Sequence, residues 1–573
     1  MTILGLHAET HVELLGTRNL IRLHFEDTSL YRLMFPPSAG DTQVMQEEPE
    51  GTDTPIGANN RKLNNMEDIQ ENWSWYNLRL IWLAGFGIFT AAYNNAIISS
   101  TLGQPTFYST LGLDPTSSHT TTVISTSNAI YFLGAFVSCA ILTAVGDKFG
   151  RKKTIWASLF FLIIGSALQT GVTNVPMYQV ARVITGFGSG SLFSTIPVYQ
   201  AEISPPSFRG FLVAQGGVFS ALGYSCSSWI GYGAYFAQSK ALGTFGFRFP
   251  ISVGCLLAVV MVPVSFCLPE SPRWLIEHGR DAEGVRLLAK LHPDKNSPDT
   301  EHFAQLEAVE IKKQRELDAR LRKAEGKWSV VTKKSNLKRL FFSCFILWSA
   351  NGMGILVINN YSVLLYNSLG YTGGDALLLS AGWISVTIPF NALAPFLIDR
   401  LGRKRMFLIG SFFLGIALSG EGALTKYFVK TANTSYACGG IFFLYFFAFI
   451  YGTFIDAASW VFTAEIWPNH IRALGCGISF AFSYASTILW TQTAPIGFEH
   501  IGWKFYMVFV ANCIVCFIVV FFIYPETKNI PLEEIPKLFG DEIATVDIHQ
   551  MNEQDLAQDH DIFKVDEQIT KVG

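Results

Sequence analysis

Long apolar stretches recur between residues 80 and 524, and they restrict the fold of this 573-residue chain more than any other feature. Half of the residues are hydrophobic and only 15% are charged, whereas soluble domains usually carry about 25% charged residues. A helix of about 20 apolar residues crosses a bilayer, and it satisfies its backbone polar groups internally. The sequence therefore predicts an all-α membrane protein. It argues against a soluble enzyme, a disordered chain and a nucleic-acid-binding protein.

Twelve transmembrane helices are expected from these stretches. The expected spans are residues 80–102, 124–145, 154–171, 176–199, 210–236, 249–268, 338–369, 376–398, 405–424, 436–464, 473–498 and 502–524. The corresponding domain organisation is a mostly flexible tail (1–76), a six-helix bundle (77–268), a linker with short helices (269–337), a second six-helix bundle (338–524) and a second tail (525–573).

Lys and Arg residues concentrate on one side of the expected spans. They cluster at 148–153, along the linker 269–337 and at 400–405, whereas the loops of the other side hold few basic residues. Basic loops usually stay on the cytoplasmic side of a membrane. Both tails and the linker are therefore expected in the cytoplasm.

Three short motifs occur twice, and this internal repeat predicts two related halves. The matching segments are Gly146–Lys152 with Ile398–Lys404, Ala201–Pro205 with Ala464–Pro468, and Leu268–Ser271 with Tyr524–Thr527. The order is the same in both halves and the separations are similar, which favours duplication of a six-helix unit. Parallel repeats of this kind are known in membrane transporters, where the substrate binds between the halves near the bilayer midplane.

Charged residues of the repeated motifs lie where the expected helices end on the basic side. Their carboxylates and guanidinium groups can pair, hold the helix ends together in one conformation and separate in another. The alternative is that they are solvated loop charges that only set the topology, because exposed pairs are individually weak. The candidate cytoplasmic gate residues are Asp147, Arg151, Glu202, Arg209, Glu270, Arg273, Asp399, Arg403, Glu465, Arg472 and Glu526.

The same motifs resemble those of the sugar porter family of the major facilitator superfamily. The segments that carry this resemblance are Gly146–Lys153, Pro197–Arg209, Pro269–Arg273, Trp460–Arg472 and Pro525–Lys528. Within the family, the segments Tyr199–Pro206 and Asn351–Gly354 are similar to the fungal lactose and cellodextrin permease branch. The resemblance implies the major facilitator fold, with twelve transmembrane helices in two six-helix halves. It also implies transport of a hexose or a disaccharide by alternating access, without a cofactor. No nucleophile–base set or metal-binding spacing in the sequence indicates an enzyme.

The residues that couple transport to protons in this family are altered here. Proton-coupled members carry an Asp in the first span where this chain has Asn94, which cannot bind or release a proton, while the Arg of the fourth span is retained as Arg182. This pair favours facilitative transport. Asp456 in the tenth span leaves proton coupling open. It could carry a proton, accept hydrogen bonds from sugar hydroxyls, or serve as a structural partner of a neighbouring group.

The expected sugar site also departs from the family pattern. The fifth-span Gln of the family aligns with Gly217, and the paired Gln of the seventh span align with Ala350 and Asn351. A sugar site needs amide partners for hydroxyl groups and an aromatic face for the ring. The alternative for each Asn is an interhelical hydrogen bond, and for the Trp a packing role. The candidate substrate-binding residues are Gln215, Asn351, Asn359, Asn360, Trp460 and Gln492.

A sugar sensor with the same fold and little transport is the alternative function. The altered sugar site and the two cytoplasmic tails favour it, whereas the complete set of gate motifs favours transport. The expected partners are a small sugar and the lipid bilayer, with protons left open and no nucleic acid. The family resemblance places the protein in the plasma membrane. The identity of the sugar and the oligomeric state do not follow from the sequence.

Overall fold

The computed structural model describes residues 75–115, 117–205, 209–237, 243–291, 300–326, 329–431, 433–528 and 535–540. These residues are almost entirely helical and form no β-strand. The predicted flexible N-terminal tail, apart from residues 75 and 76, lies outside the described residues. So does most of the predicted C-terminal tail.

The first half contains six long helices and one short one. They are α1 (Trp75–Leu102), the short α2 (Pro105–Leu111), α3 (Ser118–Phe149), α4 (Arg151–Thr170), α5 (Val175–Ile203), α6 (Arg209–Tyr235) and α7 (Phe245–Phe266). Four helices follow in the linker, namely α8 (Pro272–Glu277), α9 (Asp281–Leu291), α10 (Thr300–Glu325) and α11 (Ser329–Thr332). Within the linker, the apolar faces of α9 and α10 form a small core of their own around Leu288 and Ala308.

The second half repeats the order of long helices with two interruptions. Its elements are α12 (Lys334–Gly352), α13 (Ile355–Ser368), α14 (Gly374–Leu401), α15 (Arg403–Thr431), α16 (Thr434–Ile450), a π-helical segment (Tyr451–Asp456), α17 (Ala457–Glu465), α18 (Asn469–Ile501), a 3₁₀ turn (Gly502–Phe505), α19 (Tyr506–Ile523) and the short α20 (Ile535–Leu538). Several helices extend beyond the predicted spans. Apolar runs mark only the lipid-embedded part, whereas α3 continues to Gly150 and α14 to Gly402, where a positive φ ends the helix.

Length and composition alone identify nine stretches of the described residues that could cross a membrane. One of them, Leu474–Ile523, contains two helices that are separated at Gly502. Helices α5 and α6 are not among the nine, although they have 29 and 27 residues. Both carry many Gly and Ser residues, which lower their apolarity and permit close helix packing. When Leu474–Ile523 is counted as two helices and α5 and α6 are added, twelve helices of the described residues match the twelve predicted spans.

Backbone irregularities concentrate in the second half, at the seventh and tenth spans. Helix α12 is separated from α13 by Gly354, whose φ is 96°, and Tyr361 has non-helical φ and ψ of −116° and 16° inside α13. The tenth span contains the π-helical segment Tyr451–Asp456. Discontinuous helices and π-helical turns occur frequently at binding sites of membrane proteins. These two spans therefore mark where a site is expected.

The two halves contact each other through direct side-chain hydrogen bonds. Ser99 and Ser362 are 2.8 Å apart between their hydroxyl oxygens, and Ser385 lies 2.8 Å from both Ser225 and the indole nitrogen of Trp229. Along their helices, these residues lie from the middle toward the end opposite the basic repeat motifs, which is called the opposite end below. Among the described residues, the halves are thus closed against each other in this region.

Candidate functional site

Each half holds a charged cluster at its basic end. In the first basic-end cluster (Arg151, Glu202, Glu270), Arg151 Nε and Nη2 donate to the two oxygens of Glu202 at 3.1 and 2.8 Å. Glu270 Oε1 accepts from the backbone N–H groups of Arg151 and Lys152 at 2.8 and 3.2 Å. The carboxylate of Glu270 therefore caps the first turn of α4, where helix N–H groups lack intrahelical partners.

The second basic-end cluster (Arg403, Glu465, Glu526) reproduces this arrangement. Arg403 Nε and Nη2 donate to Glu465 at 3.1 and 2.6 Å, and the backbone N–H of Arg403 donates to Glu526 Oε1 at 3.1 Å. A Cβ at Gly402 would lie 2.7 Å from Glu526 Oε2, so the helix start and the carboxylate can only meet at a glycine. The residues of the repeated motifs therefore make the same contacts in both halves.

Both clusters join helices within one half. Arg151 and Glu202 belong to helices of the first half, and Glu270 follows the last of these helices. Arg403, Glu465 and Glu526 have the corresponding places in the second half. Of the remaining candidate gate residues, Arg273 is exposed and Arg472 Nε donates to the backbone oxygen of Trp467. The side chains of Asp147, Arg209 and Asp399 lie outside the part of the chain that the structure describes.

Three of the predicted sugar-binding residues have hydrogen-bond partners inside the protein. Asn351 Nδ2 donates to the backbone oxygen and the hydroxyl of Ser483 at 3.0 and 2.9 Å. Gln215 Oε1 accepts from the indole nitrogen of Trp82 at 2.9 Å. Gln492 Nε2 lies 3.3 Å from the hydroxyls of Ser125 and Thr126 across the two halves. In this conformation these amides hold helices together.

The other three candidates differ in their exposure and in their partners. Asn360 is fully buried, and neither its amide nitrogen nor its amide oxygen has a hydrogen-bond partner in the described part of the chain. Asn359 is 6% exposed. Trp460 is 44% exposed, packs against Phe480 with ring centroids 4.8 Å apart, and donates from its indole to Asp456. A buried amide without partners is costly, and so Asn360 is the candidate most suited to receive a ligand.

A central polar cluster lies between the halves and contains residues that the sequence did not single out. Asn95 Nδ2 donates to the hydroxyl of Tyr224 at 2.8 Å, and Asn95 Oδ1 has no partner among the described residues. Asp456, at the end of the π-helical segment, lies within electrostatic range of Tyr224 and Tyr451. The cluster combines hydrogen-bond donors and acceptors with aromatic faces. Asn95 directly follows the altered position Asn94, which was the signal available in the sequence.

Asn94 and Arg182 are not hydrogen-bonded to each other in this structure. Asn94 Nδ2 donates to Thr90 O at 2.9 Å, and its Oδ1 accepts from Ser166 at 2.9 Å. Arg182 is fully buried and stacks on the ring of Tyr131, with its Cζ 4.3 Å from the ring centroid. These contacts direct the guanidinium group toward α3 rather than α1.

The polar surroundings of Arg182 include a contact from the second half. Arg182 Nη2 donates to Asn128 Oδ1 at 3.1 Å, while Nη1 has no partner in the described residues. The hydroxyl of Tyr361, at the break in α13, lies beside Asn128 and donates to Thr491 O at 2.9 Å. Tyr361 thus covers Arg182 from the opposite half.

Comparisons with known proteins agree with this architecture. The family model described as "Sugar (and other) transporter" matches residues 80–539. Among curated relatives, the MFS-type transporter criB of Aspergillus cristatus is 32% identical over 85% of this chain and 97% of its own length. The high-affinity glucose transporter of Kluyveromyces lactis is 31% identical over 72% of this chain and 76% of its own. A quinate permease of Emericella nidulans is 28% identical over 86% and 94%.

Solved structures support the fold. The xylose transporter XylE from E. coli, in a partially occluded inward open conformation, aligns with a TM-score of 0.67 at 19% identity and covers 79% of this chain and 99% of its own. The same proton:xylose symporter bound to 6-bromo-6-deoxy-D-glucose aligns at 0.69 with 21% identity, over 82% and 100%. The predicted major facilitator fold is confirmed, as is the predicted family. The chain belongs to the sugar (and other) transporter family and is a multi-pass membrane protein.

Proposed function

We propose that this protein carries a small polyhydroxylated ring, in the first place a hexose, across the plasma membrane by alternating access, with its basic end and both tails in the cytoplasm. The observation that carries the proposal is the fully buried amide of Asn360, which has no partner among the described residues. It lies in the broken seventh span, whose next two residues, Tyr361 and Ser362, contact the first half. A sugar hydroxyl can both accept from and donate to such an amide.

The chemistry of the relatives' substrates supports this class of ligand. Glucose and quinate, named for two relatives, are six-membered rings that carry several hydroxyl groups. The central polar cluster offers Asn95 Oδ1 as an acceptor and the phenol rings of Tyr224 and Tyr451 as apolar faces. Trp460 is exposed enough to receive a ring. Small-ligand sites usually combine aromatic walls with a few polar groups in this way.

Proton coupling requires a carboxylate other than the one that Asn94 replaces. Asp456 is the candidate carboxylate of the central polar cluster. The experiment is uptake by hexose-transport-null cells of labelled glucose, xylose, quinate and a disaccharide, with and without a protonophore. It compares the wild type with Asp456→Asn.

The outcomes separate the mechanisms. Glucose uptake that survives both the protonophore and Asp456→Asn means facilitative transport, with Asn94 as its reason. Uptake that is lost under both means a symporter whose proton site has moved to Asp456. If the protein reaches the cell surface and carries none of the four compounds, the transport proposal fails and a sensor role takes its place.

A further inference from the structure

A second buried carboxylate lies away from the central polar cluster. Glu421, in the ninth span toward its opposite end, is 1% exposed. Its Oε1 accepts from the hydroxyl of Thr425 at 3.3 Å, and its Oε2 has no hydrogen-bond partner in the described part of the chain. Acidic residues inside transmembrane helices are rare, and they usually mark ion or proton pathways.

The walls of the Glu421 pocket come from three other helices. Tyr366 on α13 and Tyr506 on α19 lie within electrostatic range of the carboxylate. On α16 the facing residue is Gly440, where a Cβ would lie 3.2 Å from Glu421 Oε2 and 3.3 Å from Leu369. The absence of a side chain at Gly440 therefore leaves room for the carboxylate of Glu421 and for Leu369, which directly follows α13.

No basic group neutralises this carboxylate in the residues that the structure describes. Its titratable neighbours are the phenols of Tyr366 and Tyr506, and Tyr366 in turn has Tyr445 of α16 as a neighbour. Lys426, one turn further along α15, points to the ring of Trp503, 4.9 Å from its centroid. Lys504 of the 3₁₀ turn is exposed, as is Asp375 of α14.

An ionised carboxylate in this pocket would lack both a counter-ion and a full set of donors, and its burial would be strongly unfavourable. The protonated form fits, because it carries no charge. Helix α13 also carries Ser362, which contacts Ser99 of the first half, and Tyr361 beside Asn128. The segment that closes the halves at the opposite end thus also supplies Tyr366, one of the residues around Glu421.

We propose that Glu421 is a proton-binding site, and that α13 closes the opposite end only when this site is protonated. Movement of α13 away from α15 hydrates the carboxylate and releases the proton toward the opposite side of the membrane. The proton site stands on the geometry alone, whereas its effect on transport rests on the proposed function.

Infrared spectroscopy of the purified full-length protein in lipid nanodiscs tests the site directly. A protonated carboxylic acid absorbs separately from a carboxylate, and the wild type is expected to keep such a band at neutral pH. Glu421→Gln should lose it, while Glu499→Gln, a matched change at an exposed carboxylate near the opposite end, should keep it. Asp456→Asn identifies any contribution from Asp456. A band that is unchanged in Glu421→Gln overturns the proposal.

Two further measurements keep the test sharp. Glutamine has the shape of protonated Glu, and so Glu421→Gln is expected to fold and to melt no lower than the wild type at neutral pH; a lower melting temperature contradicts the proposal. In proteoliposomes, wild-type glucose exchange without a proton gradient should fall as the pH rises, by up to about tenfold per pH unit for one linked proton.

The exchange rate of Glu421→Gln should not follow pH, whereas that of Glu499→Gln should behave as the wild type does. A wild-type pH profile in Glu421→Gln overturns the link to transport. Absence of glucose exchange in the wild type counts against the proposed function, and the infrared result then decides the proton site by itself.

Discussion

Replacement of Gly402 by Ala tests the contact that joins the start of α15 to Glu526. Gly402 has φ 88° and ψ 156°, a region that only glycine occupies readily. A Cβ there would lie 2.7 Å from Glu526 Oε2 and 2.9 Å from its Cδ. The substitution therefore strains the backbone and displaces the carboxylate from the N–H groups of Arg403, Thr527 and Lys528, which it binds at 3.0–3.1 Å.

The two costs can be separated with a control. Backbone strain in such a region costs about 1–3 kcal/mol, and loss of the hydrogen bonds to a charged group costs about 1.5–3 kcal/mol more. Gly502 also has a positive φ, with φ 55° and ψ −135°, but nothing lies within 4 Å of a Cβ placed there. Gly502→Ala should therefore pay only the strain, which leaves roughly 1.5–3 kcal/mol of difference between the variants.

The assay is the apparent melting temperature of the purified protein in detergent. The expected order is wild type highest, Gly502→Ala intermediate and Gly402→Ala lowest. In the background of Glu526→Ala, the Gly402 change should cost no more than the Gly502 change, since the coupling between two contacting residues disappears with one of them. If Gly402→Ala melts at or above Gly502→Ala, the carboxylate is not the reason for the glycine.

Three further results are expected. Gly150→Ala should reproduce the Gly402 behaviour in the first half, because a Cβ there would overlap Glu270 Oε2; a melting temperature equal to the wild type would contradict this. Asn360→Ala should reduce glucose uptake without lowering the melting temperature, because neither amide atom has a described partner to lose. Asn351→Ala should lower the melting temperature. If Asn360→Ala lowered the melting temperature and Asn351→Ala did not, Asn360 would not be the ligand-binding amide. Burial raises the pKa of Glu277 in the linker, so the native state weakens as the pH rises from the unfolded value of about 4.3 through the native value. Glu277→Gln should therefore melt higher than the wild type above this window and equally below it, and a constant difference at all pH values would disprove the cause.

The sequence predicted the helices and the repeat because both depend on local patterns. Apolar runs of spanning length specify helices in lipid. The repeated motifs indicated that their Glu and Arg side chains could pair, and in the structure Arg151 pairs with Glu202 and Arg403 with Glu465. The fold follows from these patterns and from the family they resemble.

The geometry of the central region could not be predicted in the same way. Tyr361 is non-helical although neither Pro nor Gly adjoins it, and the π-helical turn before Asp456 has no sequence signature either. Alignment with the family proposed Asn351 as a sugar ligand, yet its amide reaches Ser483 on a neighbouring helix. Backbone breaks and hydrogen-bond partners of this kind depend on which helices pack against each other, and a single sequence does not contain that information.

Polar contacts within each half differ in kind from those between the halves. At the basic end, each cluster joins three helix ends within one half through charge-assisted hydrogen bonds, which are stronger than neutral ones. These contacts can persist while the halves move, and so each half behaves as one body. Between the halves, by contrast, hydrogen bonds such as that of Ser99 with Ser362 join neutral groups. The buried amide of Asn360, in the same span as Ser362, has no described partner. A rocking motion of rigid halves needs this division, because the interface must exchange its partners for substrate and water while the bodies stay intact. We therefore propose that the basic-end clusters keep each half rigid, and that the contacts exchanged during movement lie in the middle and at the opposite end.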